Sequence, residues 1–220
     1  MIKWVLKIIL LVLICFNVCY SNDVQSLKGI SLPEPVTKGG MPLLTALQNR
    51  HSSREFSNKE IPIEIISNLL WAGFGVNREG SKMRTAPSSY NWQDIIIYVF
   101  TAKGVWIYDA FENRLKEVKS GDYRQYAGMQ EYVKNAPLSL VYVSDTEKMV
   151  RKDQTFSDNY KLMMGCIDAG HISQNIYLFC ASEGLNVVAR ASVNKEEFSK
   201  EFELPETYNV ILGQTIGYDQ

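Results

Sequence analysis

Ser157–Glu183 constrains this chain more than any other stretch. Ser157 or Asp158 offers an N-cap oxygen, Gly184 offers a left-handed stop, and nothing between them breaks a helix. At the helical rise the segment runs about 40 Å, so the rest of the chain must supply a layer long enough to cover it. Leu162, Met163, Cys166, Ile167, Gly170, Ile172, Ile176, Phe179 and Cys180 leave it little polar surface, which places it against a sheet or in a subunit interface. Asp168, His171, Gln174 and Asn175 stand in that apolar company. They read as a satisfied buried network, with His171 as a general acid the sharper alternative.

The covering layer is legible too. Ile95–Thr101 is a β-branched run with the character of a central strand, Gly104–Asp109 and Arg114–Val118 form a hairpin, and Leu138–Ser144, Leu185–Ala191 and Tyr208–Ile216 are further strands. Shorter helices are expected over Pro42–Arg50, with Leu43, Leu44 and Leu47 as its apolar face, and from Pro62 to the glycines Gly73 and Gly75. Two more are expected over Asp122–Lys134 and Lys195–Phe202. The class is α+β: a sheet with helices over its faces, in one domain over residues 41–220, preceded by a Pro- and Gly-containing arm at 22–40.

Residues 1–21 are of another kind. Lys3 and Lys7 precede the apolar run Ile8–Phe16, too short to span a bilayer comfortably, and Cys19-Tyr20-Ser21 supplies the small residues of a cleavage site. This reads as a secretory signal peptide, hence an exported, periplasmic or envelope protein; a retained membrane anchor is the alternative. Cleavage removes two lysines and takes the formal charge from −1 to −3. With no basic block, nucleic-acid binding has no electrostatic support. Cys166 and Cys180 would sit about 21 Å apart along one helix, too far for a disulfide, and both read as small buried apolar residues. With no CxxC and only His51 and His171, no metal site is expected.

Two polar segments can carry chemistry. Arg50-His51-Ser52-Ser53-Arg54 sets two guanidiniums around hydroxyls and an imidazole, a donor set suited to a phosphorylated ligand or, equally, a solvated helix end. Thr85–Gln93, containing Pro87, Ser88, Ser89 and Asn91, is a proline turn just before a buried strand, where amides can face a ligand. No GxGxxG or GxxxxGK[ST] is present, so neither familiar nucleotide loop applies.

Taken in order, these pieces resemble the nitroreductase family of FMN-dependent oxidoreductases from about Pro42 to Tyr218. The carriers are Arg50–Arg54, Leu69–Gly73 with Gly75–Arg78, Arg84–Ser89 with Asn91 and Gln93, the long helix with Gly170 and Gln174-Asn175, Gly184-Leu185, and Leu212 to Gly217-Tyr218. The resemblance implies a mostly antiparallel central sheet and a homodimer holding FMN at its interface. Arg50 and Ser52 would bind the phosphate with His51 beside them, and Arg54 would approach the pyrimidine edge of the ring. Pro87, Ser88, Ser89 and Asn91 would come from the partner, and Ala189-Arg190-Ala191 would lie near the reactive nitrogen, offering backbone groups. No protein nucleophile is implied.

Two departures matter. Many members continue past the last strand to bring more cations to the phosphate, whereas this chain stops at Gln220; and Ala191, preceded by Arg190, stands where many have glycine. Arg190 would face the flavin, a substrate anion or solvent. Electrons would pass from NAD(P)H or an envelope donor to a small nitroaromatic or quinone-like acceptor. Alternatives are an azoline-oxidising FMN dehydrogenase, which a Lys-x-Tyr pair would favour, and a non-catalytic flavin-binding protein.

Overall fold

The structure, a computed structural model, describes residues 29–220; the expected leader and the start of the arm lie outside the described residues. Its sheet follows from strands that are apolar on both faces. In β4 (Ile95–Thr101), Ile97 and Val99 join one core while Tyr98 and Phe100 join another. A strand buried on both sides reads as a continuous apolar run rather than an alternating one.

The other strands are β1 (Ile30–Ser31), β5 (Gly104–Asp109), β6 (Arg114–Ser120), β7 (Leu138–Asp145), β8 (Asn186–Arg190) and β9 (Tyr208–Gly217); the short pair β2 (Val76–Arg78) and β3 (Met83–Arg84) stands apart. The seven-stranded order is β1-β6-β5-β4-β7-β9-β8, and every neighbouring pair runs antiparallel. The arm is not merely a loop, since β1 pairs with β6 at the edge.

Among the described residues five α-helices flank the sheet: α1 (Leu43–Asn49), α2 (Ile63–Phe74), α3 (Glu131–Asn135), α4 (Asp158–Glu183) and α5 (Lys195–Glu201). Ile172, Ile176 and Cys180 of α4 share a core with Leu69 and Leu70 of α2 and with Leu140 and Tyr142 of β7. On the opposite face Phe198 and Phe202 meet Tyr98 and Phe100. Ser157 caps α4 by accepting the Tyr160 N–H, and Gly184 closes it at φ 67°.

Three expectations change. The helix expected over Asp122–Lys134 is a 3-10 turn (Arg124–Ala127) followed by α3, broken at extended Gly128. A Cβ at Gly128 would strike the Arg190 guanidinium, and Met129 N–H donates to Ser192 O, so tertiary contact overrides a weak helical pattern. The apolar face of α1 is not covered within the chain: Leu43, Leu44 and Leu47 are 63%, 79% and 45% exposed, and only Ala46 is buried. On α4, Ile172, Ile176 and Cys180 pack inward, but Leu162, Met163 and Ile167 are exposed. Cys166 is exposed with them, against the expected burial, while Cys180 is buried.

Candidate functional site

After α1 the chain turns extended at Arg50, and the Ser53 N–H donates to Val187 O at 3.0 Å, which lays Arg50–Arg54 against β8. Ser52 Oγ is 2.9 Å from the Tyr177 hydroxyl, and that hydroxyl accepts the Ala189 N–H at 2.8 Å. With Ala189 donating to it, Tyr177 can give its own proton to Ser52, leaving the Ser52 proton free to point outward. The Arg50 guanidinium lies 5.3 Å from the centre of the Tyr177 ring. Tyr177 therefore joins Arg50, Ser52 and Ala189, and no sequence signal separates it from the other core tyrosines.

Arg50 and Arg54 are unusual among the described arginines. Each of the others has a partner: Arg78 and Arg84 donate to backbone oxygens, Arg114, Arg124 and Arg151 pair with acids, and Arg190 donates to Thr215. Arg50 and Arg54 have neither a hydrogen bond nor a carboxylate among the described residues. His51 is exposed, its Nδ1 2.8 Å from Asn49 O.

Pro87–Asn91 is shaped differently. Tyr90, Asn91 and Gln93 have φ of 50°, 56° and 50°, a left-handed backbone costly for side-chain-bearing residues. Local bonds hold it: Gln93 N–H donates to Ser88 Oγ and Gln93 Nε2 to Asn91 Oδ1, while Ser89 N–H and Oγ–H both donate to Asp168. Both Ser89 donors are thus taken within the chain. Pro87 and Asn91 remain exposed.

Asp168, 1% exposed, is the buried polar residue expected of α4, but His171 and Gln174 face outward, so the expected network does not form around them. A residue unforeseen in the sequence joins it. Asp94, fully buried before β4, accepts Ser144 Oγ–H at 2.7 Å. Burial and the adjoining Asp168 carboxyl push Asp94 up to about 6.

Arg190 is not solvated. It is 9% exposed and donates at 2.7 Å to both Thr215 Oγ1 and Ala127 O, in a slot left open by Gly128 and Gly213. Burial lowers it to about 10. Its side chain points into the fold, and of Ala189–Ala191 only Ala191 is exposed.

One chain does not gather all these residues. From Asp168 to Tyr177 the helix advances about 14 Å and two and a half turns, so the two clusters leave α4 on opposite sides. A concavity of about 940 Å³ lies elsewhere, lined by Ile61, Ile66, Trp106 and Leu115 and by none of the candidate residues.

Comparison with known proteins gives the class. A solved structure from Ralstonia eutropha JMP134, described as a nitroreductase, is 37% identical, with a TM-score of 0.81 over 89% of this chain and 91% of that one. A Methanocaldococcus jannaschii protein described in the same way is 25% identical across 76% of this chain and 86% of its own length. The fold is shared with the NADPH:FMN oxidoreductase of Vibrio harveyi, solved with NAD+, at 22% identity and a TM-score of 0.60 over 81% of this chain and 69% of that one. Sheet, helices and relatives together define an oxidoreductase. The chain belongs to the nitroreductase family, whose model matches residues 47–218.

Proposed function

We propose that the protein is an exported, homodimeric FMN-dependent oxidoreductase that takes electrons from NAD(P)H or an envelope donor and passes them to a small nitroaromatic or quinone-like acceptor. The observation that carries this reading is the pair Arg50 and Arg54, two guanidiniums with neither a hydrogen bond nor a carboxylate among the described residues, flanking Ser52, whose hydroxyl is held 2.9 Å from that of Tyr177. Two cations and a hydroxyl on one short loop fit a phosphate and a planar acceptor edge. Bound FMN would supply the redox chemistry.

The chain's own residues hold and bias it. Arg50 and Ser52 bind the phosphate, with His51 alongside. Arg54 sits at the pyrimidine edge, where a fixed positive charge stabilises the reduced, more negative ring. Tyr177 fixes both Ser52 and Ala189, so phosphate site and ring site keep one spacing. Pro87, Ser88, Ser89 and Asn91 come from the second subunit. Support for that dimer is the uncovered apolar face of α1 together with Leu162, Met163 and Ile167 of α4, and the separation of the two clusters in one chain. Export rests on the leader-like sequence of residues 1–21, and the likeness in fold to the NADPH:FMN oxidoreductase of Vibrio harveyi supports the donor and cofactor.

The test is the visible spectrum of the protein lacking residues 1–21, after FMN is added and the excess removed, followed by anaerobic titration with NADH and NADPH. A yellow protein bleached by either is expected. Yellow without bleaching moves the search to an envelope donor, and a colourless protein removes the cofactor.

A further inference from the structure

We propose that a proton on Asp94, buried beside Asp168, anchors the Ser88–Asn91 segment, which is held tightest, and FMN retained best, while Asp94 carries that proton. The inference rests on the FMN reading above and adds a control to it.

Asp94 and Asp168 are 0% and 1% exposed; Asp94 Oδ2 lies 3.5 Å from where a Cβ on Gly165 would stand, and Asp168 is one helical turn further along the same helix. Asp94 Oδ2 accepts from Ser144, but its Oδ1 is buried without a donor. Asp168 accepts from the N–H and hydroxyl of Ser89. Two buried carboxyls side by side have no donor between them unless one is protonated, and a proton on Asp94 would supply one.

No cation takes that place among the described residues. Arg84, from β3, donates to Gln93 and Phe74; Lys148, after β7, reaches Gln93 O and Asp145; Lys161, on α4, donates to Thr146 O. Asp145 is the other acid nearby, and it accepts the Glu147 N–H. The pair cannot separate easily, because a Cβ at Gly165 would already lie 2.5 Å from Ser144 Oγ and 3.5 Å from Asp94 Oδ2. Helix α4, which carries Asp168, is seated directly against Ser144 and Asp94.

The sign follows. Asp94 is raised from its ordinary 3.8 to about 6, chiefly by burial and also by Asp168. A carboxyl raised on folding contributes stability fully present below its ordinary value and lost as pH rises through the folded one. Once both acids are charged, their repulsion acts on the tether of Ser89, next to the left-handed Tyr90 and Asn91 that the tether holds in place.

The experiment measures FMN dissociation constants, and thermal midpoints of the FMN-free protein, from pH 4.5 to 8 in wild type and Asp94→Asn. The asparagine amide donates where the protonated acid would, at every pH. The two proteins should bind FMN alike near pH 5; near pH 7.5 the variant should bind on the order of tenfold more tightly, the equivalent of one pKa unit, and melt higher. Titration of the FMN phosphate affects both and cancels in the ratio. Asp168→Asn, which also places an amide between the acids, should flatten the profile too and serves if Asp94→Asn does not fold. A binding ratio independent of pH overturns the proposal, as does thermal divergence with no change in FMN binding. If no protein binds FMN at any pH the cofactor reading fails and this proposal with it, while the midpoints still report whether Asp94 holds a proton in the folded chain.

Discussion

Ser52 Oγ and the Tyr177 hydroxyl stand 2.9 Å apart, although one belongs to an exposed loop and the other to the buried side of α4. The hydroxyl serves two partners at once, so removing it disturbs the loop and the β8 backbone together. Tyr177→Phe should leave the fold intact and weaken FMN binding by roughly 0.5–1.5 kcal/mol, the net value of one hydrogen bond. Titration of the variant with FMN checks this.

Arg50 and Arg54 should separate by ligand. Arg50→Ala is expected to weaken FMN binding while leaving riboflavin, which lacks the phosphate, nearly unaffected. Arg54→Ala should lower the reduction potential of the bound flavin and slow its reduction; a potential equal to wild type would remove Arg54 from the ring.

The uncovered faces of α1 and α4 predict assembly. Leu44→Glu and Ile167→Glu place a charge at sites 79% and 43% exposed in one chain, so a lone subunit should tolerate them while a dimer should not. Sedimentation should show wild-type dimers and variant monomers, and the monomers should lose FMN. Alkylation gives a second readout: Cys166, on the same face, should be protected in wild type and labelled in the monomer, with Cys180 buried and unreactive in both.

Gly128→Ala should destabilise the chain by roughly 1–3 kcal/mol, the usual cost of overpacking, because the new methyl meets the Arg190 guanidinium. Chemical denaturation measures it. An Ala as stable as wild type would mean that the Arg190 slot is loose.

Much of this was readable in the chain because it depends on local pattern. The cap and stop of α4, the doubly apolar β4 and the β5–β6 hairpin follow from residue order alone. The cationic loop at Arg50–Arg54 stood out for the same reason. What sequence could not give were pairings between distant residues. Tyr177 looks like any core tyrosine until Ser52 and Ala189 are beside it, and Asp94 looks like a strand-end turn residue until Asp168 faces it. Arg190 misleads in the opposite sense: its place beside Ala191 suggests a charge turned to flavin, substrate anion or solvent, yet Gly128 and Gly213, far from it in sequence, open a slot for it inside.

Helix α4 carries Asp168 toward one cluster and Tyr177 toward the other, and it thereby acts as a ruler. Each residue of an α-helix adds about 1.5 Å and 100°. One residue gained or lost between those two positions would swing Tyr177 through about 100°, away from Ser52 and Ala189, with Asp168 still in place. Insertions that a surface loop would absorb are therefore forbidden over this interval, and the length of chain between the two residues should be as invariant among working variants as any side chain in the site.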